Sequence, residues 1–114
     1  DSKFLNENIV KIKTEKELNE KNVSLAIEFF RKKMNYDKTN VYHHIGIYLY
    51  KTKVLEKIVS LNQTEQEKKM RLEQLRAMEN NVKIYSALSN FCPIGVDTKE
   101  DYEEVKNLLE TKNN

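Results

Sequence analysis

The sequence predicts a small mixed α/β layer, a short mixed sheet with flanking helices, rather than a helical bundle. Two observations lead there. Runs rich in β-branched and aromatic residues alternate with segments whose apolar residues recur at helical spacing. Two helix starts are also marked by capping-box spacing, Thr64 with Glu67 and Thr98 with Asp101. No internal repeat or low-complexity linker interrupts the pattern, so residues 1–114 are expected to form a single domain.

Each element follows from its residues. "NIVKIK", 8–13, reads as a short strand because of its β-branched content. The stretch 15–34 reads as a helix with Ala26, Phe29 and Phe30 on one side, although "SLAIEFF" within it also suits a strand. Residues 35–40 are polar and turn-prone. "HIGIYLY", 44–50, is expected to be a buried strand, since a glycine weakens helix there and the run is short. "TKVLEKIVSL", 52–61, carries Val54, Leu55, Ile58, Val59 and Leu61 as an apolar stripe of one helix. "NQTEQEKKMRLEQLRAMENN" predicts one further helix, closed by Asn80 and Asn81. "VKIYSAL", 82–88, reads as a strand, and Tyr102, Val105, Leu108 and Leu109 mark a last helix. So few strands leave sheet edges that call for more strands or a partner.

Composition narrows the function. A net charge of +2 with 33% charged residues of interleaved sign offers no face built for polyanions, so nucleic acid is not the expected partner; Lys32, Lys33 and Lys38 are the one basic cluster that favours it. A single cysteine, Cys92, excludes an internal disulfide, has no histidine at a motif distance and fits a reducing, cytoplasmic setting. No apolar run is long enough to span a bilayer. A chain that begins at Asp1 rather than methionine is expected to be a processed product or a piece of a longer one.

Three clusters could carry chemistry. In "FCPIGVDTKED", Asp97 falls between a strand-like run and a helix start, where ligands of open α/β sheets are met and hard cations find oxygen. The alternative is that Asp97 or Thr98 simply caps the helix. In "HHIGIYLY", His44, Gly46 and Tyr48 share one face by the two-residue period of a strand, presenting an imidazole and a phenol beside a gap, or else packing beneath a helix. In "RLEQLRAMEN", Glu73 and Gln74 set an acceptor beside an amide, suited to a polyol, unless both face water. Adjacent His43 and His44 point to opposite strand faces, so zinc is discarded. Nucleotide-loop and serine-elbow motifs are absent from the sequence.

Taken in order, "HHIGIYLYKTKVL", "MRLEQLRAMENNVKIYSAL" and "PIGVDTKEDYEEV" resemble the carboxy-terminal half of 3-deoxy-manno-octulosonate cytidylyltransferase, the CMP-Kdo synthetase family. The likeness runs from about Tyr42 to Leu109 through the motifs H-x-G-I-Y, L-E-Q-L-R and G-V-D-T, and "FLNENIVKI" near the start is weakly similar as well. The resemblance implies a Rossmann-like nucleotidyltransferase fold, here partial, and a cytosolic, homodimeric enzyme using Mg²⁺ to transfer CMP from CTP to the sugar acid Kdo for lipopolysaccharide synthesis. It implies that Asp97 is the catalytic metal ligand, that His44 and Tyr48 contact Kdo, that Glu73 and Gln74 hold its hydroxyls, and that Arg31 touches the sugar acid.

The family's amino-terminal half, with its nucleotide loop, has no counterpart here, and segment 14–41 diverges, with "FFRKKMNYDKTN" replacing the family's "F-S-R-A-x-I-P". The expected partners are therefore Kdo, CTP with most of its site missing, and either a second copy or a complementary amino-terminal half. The alternative function is a non-catalytic remnant or self-association module of the same fold.

Overall fold

A computed structural model describes residues 5–33, 35–91 and 93–113. Cys92 lies outside the described residues, as does Met34 at the end of the expected first helix. The elements in chain order are β1 (Lys11–Thr14), β2 (Val23–Phe30), β3 (Val41–His43), α1 (Thr52–Ser60), α2 (Glu65–Met70), α3 (Gln74–Glu79), β4 (Tyr85–Ala87) and α4 (Lys99–Lys112). The strands form one four-stranded sheet in the order β3-β1-β2-β4. Every pairing is antiparallel, so the expected mixed sheet is corrected to an antiparallel one with flanking helices. Among the described residues no helix is long and apolar enough to cross a membrane.

The helix expected over 15–34 is a correction too, because β2 is a strand. Its apolar spacing misleads for a definite reason. Ile12 pairs with Phe29 while Thr14 pairs with Ala26, so a bulge places one extra residue in β2. In a regular strand, residues three apart face opposite sides. The bulge restores Ala26 and Phe29 to the same side, imitating helical spacing in a strand. Ile12, Ala26, Phe29 and Leu72 then form the buried core, with Val10, Tyr42, Met70, Leu75, Met78 and Ile84 packed around it.

The single helix expected over 62–81 is two helices. Thr64 and Glu67 form the predicted capping box, but α2 ends at Arg71 in the left-handed conformation, φ 55° and ψ 47°. The Leu72 N–H returns to the Glu67 carbonyl at 3.2 Å, and Leu72 turns into the core at 4% exposure. The corner is held by an ion pair that sequence spacing did not show. Arg76 grips Glu67 with two bonds, Nε to Oε2 at 2.9 Å and Nη2 to Oε1 at 2.5 Å, and Glu67 is buried. A fork-to-fork arginine–carboxylate pair fixes orientation as well as distance, so α3 leaves α2 at one angle.

Another charge is buried at the sheet's end. Lys11 is fully enclosed, and its Nζ donates to the carbonyls of Asn6, at 2.6 Å, and of Arg31. Burial, then the nearby Arg31 guanidinium, pulls its pKa below the usual lysine value.

The remaining elements are less enclosed. In α1 only Ile58 is buried, whereas Leu55 and Val59 of the predicted stripe are exposed. The predicted box of Thr98 and Asp101 opens α4, which buries none of its residues. With α4 in place the radius of gyration is 16.0 Å, against about 13 Å for a compact domain of this length.

Candidate functional site

The sheet's β3 end and the α3 corner enclose a cleft of about 1060 Å³. His44, Tyr48, Glu73 and Gln74, four of the residues singled out from sequence, all line it. Its floor is the core, through Ile12, Phe29 and Ala77, and its wall is Ile84, Tyr85 and Pro93.

His44 and Tyr48 arrive by a route the sequence did not indicate. The expected buried strand over 44–50 is a correction: β3 stops at His43, and residues 44–50 are irregular with Gly46, Ile47, Leu49 and Tyr50 exposed. Along a straight strand, residues four apart stand about 13 Å from each other. Yet His44 Nε2 and Tyr48 Oη are 2.8 Å apart and hydrogen-bonded. The chain bends between them, because the Ile47 N–H bonds to the Ile45 carbonyl at 2.8 Å in a three-residue turn centred on Gly46. A Cβ on Gly46 would meet nothing within 4 Å, so glycine here leaves open space rather than relieving a clash.

Beneath the pair, Phe29 presents its ring edge-on to His44 at 5.4 Å, and Tyr50 stacks on Tyr48 at 5.9 Å. Burial, reinforced by neighbouring His43, pulls the His44 pKa below the ordinary imidazole value, so the ring is neutral at pH 7. Burial, helped by Tyr50 and Glu73, pushes the Tyr48 phenol well above its ordinary value. The two therefore form a neutral pair in which one heteroatom donates and the other accepts, according to the imidazole tautomer.

Glu73 and Gln74 reach the cleft because the chain breaks at Arg71 and restarts as α3, with Glu73 at its N-cap and Gln74 its first residue. Glu73 is exposed. The Gln74 Nε2 is buried with no hydrogen-bond partner among the described residues. An unpaired buried amide N–H costs stability.

Arg31 and Asp97 stand apart from these four. The Arg31 guanidinium donates to three main-chain carbonyls, Met70 at 3.0 Å, Arg71 at 3.2 Å and Glu7 at 3.3 Å, tying the end of β2 to the α2–α3 corner. Asp97 is exposed on the loop between cleft-lining Pro93 and α4, and does not line the cleft itself. Its N–H, at 3.1 Å, and that of Thr98, at 2.9 Å, donate to the Asp101 carboxylate, so Thr98 and not the Asp97 side chain caps the helix.

Sequence reasoning missed Tyr50, Lys51, Lys57 and Lys83 of the cleft wall. Tyr50 was detectable, since it continues the two-residue period of His44 and Tyr48. Of the basic cluster, Lys32 pairs with Glu7 at 3.1 Å and Lys33 with Glu28 at 2.9 Å.

A cleft at the end of a small sheet, where an imidazole, a phenol, a carboxylate and an unpaired amide stand among mainly apolar side chains, marks the chain as a small α/β module with a candidate binding site. Comparison with known proteins gives that module a family. Over 84 residues, 74% of its length, the chain is 44% identical to the 3-deoxy-manno-octulosonate cytidylyltransferase of Bartonella bacilliformis. It is 40% identical over 89 residues to that of Rhizobium johnstonii, and 44% over 87 residues to that of Paramagnetospirillum magneticum. The chain is thus homologous to part of the CMP-Kdo synthetases, and spans about 35% of the length of these curated relatives.

A solved structure of CMP:2-keto-3-deoxy-manno-octonic acid synthetase complexed with CTP agrees. It superposes with a TM-score of 0.72 at 28% identity, covering 97% of this chain and 45% of that one. No protein-family model matches.

Proposed function

We propose that this chain forms the sugar-acid side of a nucleotidyltransferase that moves CMP from CTP onto Kdo, the activation that precedes lipopolysaccharide assembly. The carrying observation is that the cleft gathers His44, Tyr48, Glu73 and Gln74 in a chain homologous to CMP-Kdo synthetases. In the reaction a Kdo hydroxyl attacks the α-phosphorus of CTP, the new O–P bond forms, and pyrophosphate leaves with the electrons of the broken bond. Such transfer depends on positioning and charge stabilisation rather than on an activated serine or cysteine.

The neutral His44–Tyr48 pair offers both a donor and an acceptor to Kdo, and the Glu73 carboxylate accepts from its hydroxyls. The Gln74 amide donates its buried, unpaired N–H to a sugar oxygen. Arg31 acts in this proposal by holding the α2–α3 corner against β2, which positions Glu73 and Gln74.

Asp97 suits Mg²⁺ as a single ligand. It is an exposed hard-oxygen donor, and magnesium takes one or two carboxylates and completes its shell with substrate phosphates and water. Among the described residues no group of three or more His, Cys, Asp or Glu side chains could hold a metal together. When bound, the ion would neutralise charge on the transferring phosphate.

Because the chain spans about 35% of its relatives, turnover in this proposal needs a complementary nucleotide-binding part. The test is a thermal melt. Kdo should raise the melting temperature in proportion to RT ln(1 + [L]/Kd), and this chain mixed with the complement should release pyrophosphate from CTP, Kdo and Mg²⁺. A non-catalytic remnant would show neither effect. Pyrophosphate release unchanged in Asp97→Asn would remove the metal role.

A further inference from the structure

We propose that Lys51, Lys57 and Lys83 form an anion subsite of the cleft and take the carboxylate of the sugar acid. The inference rests on the reading of the cleft as a sugar-acid site and adds to it the groups that recognise the acid.

Two elements bring these lysines to the cleft. Lys51 is the N-cap of α1 and Lys57 lies in its last turn. On the helix wheel Lys57, Val54, Ile58 and Lys51 follow one another within about 120° of the circumference, and all four line the cleft. The apolar pair of α1 is thus flanked by two ammonium groups. Lys83, just ahead of β4, adds a third beside Ile84 and Tyr85.

The three charges are uncommitted. Lys13, Lys32, Lys33 and Lys68 each pair with a carboxylate elsewhere on the molecule. Among the described residues Lys51, Lys57 and Lys83 make no ion pair, and Glu73 is the one carboxylate among the described residues that line the cleft. A recess with mainly apolar walls and an excess of one charge focuses its field on a ligand of the opposite sign.

No other group in the cleft answers a carboxylate. His44 is neutral at pH 7 and Tyr48 stays protonated, so neither brings a positive charge. Arg31, which the resemblance assigns to the sugar acid, does not line the cleft, and its guanidinium is held by the carbonyls of Met70, Arg71 and Glu7. An anion drawn among apolar side chains without a cation loses its hydration uncompensated. The lysines supply that cation, their stems against the apolar wall and their heads in water.

Calorimetric titration of the chain tests this with four probes: Kdo, its methyl ester, glucuronate and pyrophosphate. The ester keeps every hydroxyl and loses the charge. We expect Kdo to bind the parent about 10-fold more tightly than the ester, the scale of a hydrogen bond to a charged group. Each of Lys51→Gln, Lys57→Gln and Lys83→Gln should weaken Kdo by about 2–5-fold and leave the ester unchanged, and the triple variant should bind both alike. In the parent the preference for Kdo should shrink as salt rises from about 0.05 to about 0.5 M. The three lysines are exposed, so the variants should keep the unliganded melting temperature; the ester and salt comparisons need no variant.

A preference for Kdo that survives the triple substitution, or equal binding of acid and ester by the parent, overturns the subsite and leaves the sugar-acid reading standing. Lysine-dependent binding of pyrophosphate without a lysine effect on Kdo assigns the charges to the nucleotide's phosphates and also overturns it. Lysine-dependent binding of glucuronate in the absence of Kdo binding keeps the subsite and removes Kdo as its ligand. Binding of neither acid overturns both.

Discussion

The phenol of Tyr48 and the imidazole of His44 share a 2.8 Å hydrogen bond across a turn centred on Gly46. Both rings also rest on aromatic neighbours, Tyr50 and Phe29. The bond can therefore be removed without emptying the site. Tyr48→Phe should keep the stack and cost about 0.5–1.5 kcal/mol, the net worth of one neutral hydrogen bond. Denaturant unfolding measures that loss. In the proposed function the same variant also weakens the Kdo-induced rise in melting temperature.

The depressed His44 pKa makes a signed prediction. The unfolded chain takes the imidazole proton near pH 6.5, and the folded chain only at lower pH. Between the two values the unfolded state holds more protons, so this group's contribution to stability falls as pH drops through that window. The loss is about 1.4 kcal/mol for each unit separating the two values. Subtracting the pH profile of His44→Asn from that of the parent isolates it; parallel profiles from pH 7 to pH 5 would refute the assignment.

Gln74 sets stability against binding. Its buried amide nitrogen has no partner, so Gln74→Met, of similar volume and without the unpaired donor, should stabilise the free protein by about 1–3 kcal/mol. It should also reduce stabilisation by Kdo. A gain in both quantities would show that the amide has no ligand to meet.

The Glu67–Arg76 pair should be what keeps α2 and α3 at their angle. Arg76, then burial acting in opposition, governs the Glu67 carboxyl, and the net effect holds its pKa below the ordinary value. An acid of this kind contributes stability above its unfolded pKa and loses it as pH falls through the folded one. Glu67→Gln should lower the melting temperature at pH 7 and flatten the acid limb of the profile. Lys32→Ala, which breaks an exposed pair, should change stability by no more than about 0.5 kcal/mol.

Arg71 occupies the left-handed conformation that glycine adopts most easily. In an exposed helix interior glycine costs about 1 kcal/mol. Here Arg71→Gly should cost nothing and can stabilise by up to about 1 kcal/mol, with an unchanged circular dichroism spectrum. A loss of 1 kcal/mol would mean that 62–81 is one continuous helix in solution.

Several features were determined by the sequence itself. Both capping boxes stand where Thr64–Glu67 and Thr98–Asp101 predict them, because a cap depends on residues three apart and on nothing distant. The three quoted stretches likewise raised the resemblance to CMP-Kdo synthetases, to part of which the chain is homologous over 84 residues. Tertiary structure decided the rest. The strand identity of 23–30 waited on a bulge against β1, and the break at Arg71 on a core that needed Leu72 and an ion pair that needed Arg76. The meeting of His44 with Tyr48 waited on a turn that β3 could make only by ending. Local rules see neighbours along the chain, whereas burial and pairing join residues far apart in it, and four side chains became one cleft only through those contacts.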